Sequence, residues 1–184
     1  MNATATEAKF VQVPAGLLPA LRRAVADGRE PVEAVTILRQ VGYDTGEAVH
    51  AAVLDRAAQS RPGLPADALT ADDFWDAASA YFRDAGWGEL AHEQLHPGVG
   101  ALDLHDWVEA SGDGSDGVPP GCHLSTGIFA DVLGRLAGGE IAVMEVQAQP
   151  GSSRLLFGSH EVLGAVYQGM VDGMSYSDAV TRLG

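Results

Sequence analysis

The sequence predicts an α+β fold in which N-terminal helices precede an antiparallel sheet with helices packed on it. Three observations predict it. Apolar residues recur at helical spacing through the first half, and β-branched or alternating runs bounded by glycine and proline enter only after Gly88. The length of 184 residues, with 46% apolar and 20% charged, suits one well-buried core and is short for two. The expected division is an arm over residues 1–15 and one domain over 16–184. Within that domain a helical part covers 16–88 and a sheet-containing core covers 89–184.

Residues 1–15 are small and polar and read as a flexible arm. Leu17, Leu18, Leu21 and Val25 follow at helical spacing, and Gly28 ends that run. Pro31 suits the first turn of a second helix bearing Val32, Val35, Leu38 and Val41, which Gly42 should stop. Asp44 and Glu47 have the spacing of a capping box and should open a third helix with Val49, Ala52 and Val53. Pro62, Gly63 and Pro65 mark a loop over 60–69. Thr70 then caps a fourth helix whose Phe74, Ala77, Ala78, Tyr81 and Phe82 form one apolar stripe, ended by Gly86 and Gly88.

Residues 89–96 and 101–109 read as a strand pair separated by Pro97, Gly98 and Gly100. Residues 111–121 are loop-like. A fifth helix carries Leu124, Ile128, Val132, Leu133 and Leu136 and ends at Gly138-Gly139. Ile141–Gln147 and 153–158 are strands. Ser159 caps a long helix with Val162, Leu163, Val166, Tyr167, Met170 and Val171, and a short helix follows Ser175. No internal repeat is present.

Charge excludes some functions. There are 11 basic residues against 25 acidic ones, a net charge of −14. Nucleic acid and anionic membrane both require basic patches, so neither is an expected partner. Cys122 is the single cysteine, which excludes an internal disulfide and an all-cysteine zinc site. With no signal peptide and no apolar run long enough to span a membrane, the cytoplasm is the expected compartment.

Several motifs invite chemistry. HEQLH, His92 to His96, has the zinc-protease pattern, in which histidines one helical turn apart hold a metal. Gly88 before it and Pro97 after it favour a strand instead. There the two histidines share a face about 13 Å apart, too far to share a metal. DGSDG, Asp113 to Gly117, resembles part of a calcium loop but lacks the closing glutamate. Cys122 and His123 are neighbours that would not face each other on a helix. A helix N-terminus would favour a thiolate at Cys122, whereas burial would leave a structural thiol. No phosphate-binding, nucleophile-elbow or dinucleotide motif occurs. Phe74, Trp75, Tyr81, Phe82, Trp87 and Trp107 cluster along the chain. They fit either ordinary core packing or an apolar ligand pocket between the fourth helix and the sheet.

The run from Pro119, PPGCHLSTGIFADVLGRLAGGEIAVMEVQAQPGSSRLLFG, resembles the C-terminal core of the 4-vinyl-reductase, or hydrocarbon-binding, domain family. That family supplies the sensor domain of phenol-responsive bacterial regulators and shares its fold with Bet3-type subunits of the TRAPP tethering complex. Cys122, Gly127, Gly138-Gly139, Glu145, Gly151 and Phe157 occupy the positions of its pattern. The similarity covers most of the chain past residue 70 and is weaker before it. Zinc-binding members use the first cysteine, the strand glutamate and two later cysteines. Here Cys122 and Glu145 remain, but Ala148 and Leu155 (or Leu156) stand where the later cysteines should be. Two ligands of four are too few for structural zinc, so the metal is expected to be lost and replaced by apolar packing. Glu145 should then pair with Arg154 or His123, or lie at the wet end of the sheet.

The family's name implies a reductase, but the sequence carries no cofactor-binding signature, so the expected function is a non-enzymatic domain that binds a small hydrophobic or aromatic ligand as a sensor or carrier, with no cofactor. Its pocket is expected among Phe74, Phe82, Trp107, Phe129 and Val143, with His105 contacting a ligand hydroxyl. No set of nucleophile, base and orienting group is visible. The first alternative is a dimeric interaction module resembling the TRAPP subunits. The second is a zinc hydrolase built on HEQLH. Expected partners are a homodimeric copy and, since no DNA-binding or ATPase domain accompanies the ligand site, a separate protein that receives the signal.

Overall fold

A computed structural model describes residues 16–62, 69–111 and 118–183. The expected arm and the DGSDG stretch lie outside the described residues, as does most of the expected loop over 60–69. The elements are α1 Leu17–Ala26, α2 Pro31–Ser60, α3 Ala71–Asp84, β1 Glu89–His96, β2 Val99–His105, a 3-10 turn Glu109–Ser111, α4 His123–Ala137, β3 Ala142–Gln149, β4 Ser152–Gly158, α5 His160–Val171 and α6 Tyr176–Thr181. This is the α+β class that the sequence predicts. Among the described residues no helix is long and apolar enough to cross a membrane.

The sheet has four strands in the order β1-β2-β4-β3, every neighbouring pair antiparallel. Both faces are covered, which explains why β2 is apolar at nearly every position. Leu102 and Leu104 face a core built with α2, α3 and α4, whereas Val99 and Ala101 face α5 and α6. Alternation along the strand sends successive side chains to opposite layers. A third, smaller core joins Leu18 and Val25 of α1 to Leu38, Val118 and Leu124.

The two caps read from the sequence, Thr70 and Ser159, are present, and Ser175 caps the short helix that was expected to follow it. Thr70 and Asp73 form a reciprocal capping box at α3, and Ser159 and Ser175 accept from Val162 and Asp178 at α5 and α6. The expected break at Gly42 is wrong. α2 runs unbroken through it, and Asp44 accepts from Gln40 rather than capping a new helix. Gly42 serves packing, because a Cβ there would stand 2.1 Å from the Leu124 carbonyl oxygen of α4. Gly127 of α4 returns the contact, since its Cβ would stand 2.0 Å from the Arg39 oxygen of α2. The two backbones touch where side chains would part them.

The strand expected over 101–109 also needs correction. β2 starts at Val99 and ends at His105, where Asp106 turns the chain with φ +49°. Trp107 therefore sits in the turn beyond the strand. Its N–H donates to the Gly151 oxygen at 2.9 Å, and the Gly151 N–H donates to Ala110 at 3.1 Å. Those bonds seat the β3–β4 turn, Pro150-Gly151, against the Trp107–Ala110 turn. Gly151 has φ +80°, a value that glycine adopts without strain.

Candidate functional site

Two neighbouring features on the α3/α4 side of the sheet hold the candidate chemistry. The first is aromatic. Phe82 stands 5.3 Å, centroid to centroid, from both Trp107 and Phe129, and Trp87 lies 5.7 Å from Trp107. The stripe on α3 supplies Phe74 and Phe82, α4 supplies Phe129, and the turn after β2 supplies Trp107. Phe74 belongs to the same core, and Val143 packs against it half-buried. Five of the six expected ligand contacts are thus brought together. His105 is not. It shares the sheet face of Ala101 and Asp103, away from the aromatics, and is exposed at the strand end.

The polar group inside this region is one the sequence reading missed. Glu109 is buried, and its carboxylate accepts from the Leu124 N–H at 2.6 Å, the Ser125 N–H at 2.8 Å and the Ser125 hydroxyl at 2.6 Å. It thereby satisfies free N–H groups in the first turn of α4. Ser125 Oγ in turn accepts from the Trp107 indole N–H at 2.9 Å. Burial raises the Glu109 pKa above its ordinary value, against the hydrogen bonds from Ser125 and Leu124, which favour its charge. The available signal was a single acidic residue between Val108 and Ala110.

The second feature lies where α4 begins. Cys122 is the N-cap residue and is fully buried. Burial raises its pKa, and the charges of Glu109 and Glu145 raise it further, so the thiolate that a helix N-terminus would favour does not form. Glu145 accepts from the Cys122 N–H at 3.2 Å and from the Ser153 hydroxyl at 2.5 Å. The expected partners are otherwise engaged. Arg154 lies on the opposite face, paired with Asp103 at 3.2 Å and with Glu93. His123 Nε2 bonds the Pro119 oxygen at 2.9 Å, and burial lowers its pKa. Glu145 is thus hydrogen-bonded as expected of a partly buried carboxylate, but by the Cys122 N–H and the Ser153 hydroxyl rather than by Arg154 or His123.

These residues do not fit a zinc ion. Leu155 is opposite Glu145 in the ladder and Ala148 is opposite Ser153, so the two expected cysteine positions lie beside the glutamate. Neither offers a donor atom, so Cys122 and Glu145 are left as two ligands of the four a structural zinc needs. Among the described residues no group of three or more metal-ligating side chains is present. Ser153 was not read from the sequence, because a register shift between Glu145 and Gln147 decides which β4 side chains stand beside Glu145. Neither was Arg22. It reaches from α1 to donate to the Gly121 and Pro119 oxygens, both at 3.2 Å.

HEQLH lies on β1, as its flanking residues indicate. A register shift between Gln94 and His96 puts His92 opposite Leu102 and His96 opposite Val99. Those partners face different layers, so the expectation that the histidines share a face is overturned. The bulge turns one of them over. His92 stacks on Trp75 at 4.2 Å, and His96 Nδ1 accepts from the Gly98 N–H. The hydrolase reading has no metal pair here.

No protein-family model matches the chain, and no curated protein does. Among solved structures the fold is similar to that of the phenol-responsive sensory domain of the transcription activator PoxR, crystallised with phenol. The TM-score is 0.61 over 83% of this chain and 77% of that one, at 18% sequence identity.

Proposed function

We propose that the chain is a small-molecule-binding sensory domain whose ligand is hydrophobic or aromatic. The observation that carries this reading is the fold it shares with a phenol-responsive sensory domain. The aromatic cluster of Phe74, Phe82, Trp107 and Phe129, with Val143 at its rim, supplies the apolar contacts. The buried Trp107–Ser125–Glu109 chain supplies hydrogen-bonding capacity beside them. The rings stand at contact distance, so a ligand enters by displacing one of them, and binding is coupled to a local rearrangement. A sensor needs such coupling in order to report. In this reading the cytoplasm is the compartment and a separate protein receives the signal.

Native mass spectrometry, compared with a denatured sample, tests this. A small apolar molecule retained only in the native state is the expected result. With phenol added at about ten times its dissociation constant, the native state should gain about 1.4 kcal/mol. Absence of any retained mass, together with no thermal shift across a panel of phenols and single-ring hydrocarbons, would sink the reading.

A dimeric interaction module is the second reading. It draws on apolar side chains left open on the first two helices: Leu17, Val41, Tyr43 and Val32, the last 74% exposed.

A further inference from the structure

The β3–β4 turn faces the segment ahead of α4 across a cleft of about 280 Å³. Ala110, Pro120, Ala148 and Pro150 give it apolar walls, and Gln149 adds an amide. Glu145 is its charged lining residue. Three other partly or fully buried carboxylates have a cation beside them: Asp73 has Arg61 at 2.8 Å, Asp131 has Arg135 at 2.6 Å, and Asp103 has Arg154, whereas Glu109 is closed off inside the core by three hydrogen bonds and does not line this cleft. Among the described residues no salt bridge reaches Glu145; its hydrogen bonds come from the Cys122 N–H and the Ser153 hydroxyl, with the neutral Cys122 thiol beside it. A carboxylate offers about four acceptor directions, so capacity remains for a donor from the cleft.

We propose that this cleft binds a small organic cation, a protonated amine on a single ring or short apolar chain, with Glu145 as its counter-ion. The volume lies just under the roughly 300 Å³ at which pockets for drug-sized ligands begin, which suits a one-ring body. An ammonium donor makes a charge-assisted bond to the carboxylate, stronger than the bond a neutral hydroxyl makes. A neutral ligand would dehydrate the carboxylate without compensating its charge. The net charge of −14 adds a long-range field that gathers cations and repels anions. The site is also preorganised. Arg22 and His123 hold the Pro119–Gly121 wall, and Ser153 holds the carboxylate. None of Phe74, Phe82, Trp107, Phe129 or Val143 lines this cleft, so substitutions at Glu145 and Ala148 separate binding here from binding at the aromatic cluster.

The experiment is calorimetric titration of the whole chain with benzylamine, benzyl alcohol and benzoate, which share a ring and differ in charge. The expected order is benzylamine binding about tenfold or more tightly than benzyl alcohol, with no benzoate binding. Glu145→Gln keeps acceptor capacity for the Cys122 N–H and the Ser153 hydroxyl, and its fold is checked by circular dichroism. It should weaken benzylamine about tenfold or more and leave benzyl alcohol unchanged. Ala148→Phe places a ring at an exposed strand end and should abolish the preference for benzylamine by filling the cleft. Equal affinity for amine and alcohol, benzylamine binding that survives Glu145→Gln, or no benzylamine binding by the wild type would each overturn the proposal. If both variants misfold, chemical-shift changes of Ala148 and Gln149 on adding benzylamine to the wild type decide the matter, and their absence would overturn the proposal.

Discussion

Glu109 shows how one residue can join fold and site. Its carboxylate ties α4 to the turn that carries Trp107, and it has no exposed face through which water could replace a lost partner. In Glu109→Gln the amide NH2 meets one of the two backbone N–H groups instead of accepting from it, so the native state should lose about 1–3 kcal/mol in urea unfolding. The pH dependence has a definite sign. The folded pKa is raised, chiefly by burial, so the native state holds the proton more strongly than the unfolded chain does. The associated stability is present below the ordinary carboxyl range, at about pH 4 and lower. It is lost as the pH rises through the raised value. Because Glu109→Gln lacks this titration, its stability deficit against wild type should shrink as the pH rises. A deficit that grows with pH would show that the three hydrogen bonds outweigh burial. Glu109 escaped the sequence reading because an isolated acidic residue looks alike on a surface and inside.

At the scale of elements, the α2–α4 contact inverts a helix rule. Replacing glycine by alanine in a helix interior ordinarily stabilises by about 1 kcal/mol. Gly42→Ala should instead destabilise by about 2 kcal/mol or more, because the new methyl meets the Leu124 carbonyl of a neighbouring helix rather than a side chain that can turn aside. Equilibrium urea denaturation measures this, and a stabilised variant would mean that the helices separate at little cost. The same contact explains the misplaced helix break. Glycine carries the same letter whether it ends a helix or admits a second one. The caps at Thr70 and Ser159 were legible because a cap is satisfied within four residues of chain. The β1 bulge was not legible, since it depends on pairing with β2.

For the molecule as a whole, charge and apolar exposure act in opposite directions. Two copies meeting through α1 and α2 would bury Leu17, Val32 and Tyr43 but bring together two chains of charge −14. If the dimer forms, the mass measured by light scattering should approach twice 19.1 kDa, more completely at about 1 M salt than at about 0.01 M. A mass near 19.1 kDa at every salt concentration would refute the dimeric module. By itself the sequence determined the α+β class, most element positions, the caps, the aromatic stripe and the departure of two cysteines from a zinc pattern. All of these are written in local spacing or in residue type. Tertiary structure alone decided that α2 is continuous, that His92 and His96 face apart, that His105 leaves the aromatic cluster, and that Ser153 and the Cys122 N–H engage Glu145. Each of those outcomes is a contact between segments distant in sequence. Such contacts are fixed by how closely backbones approach and how strands register, and no local pattern records either.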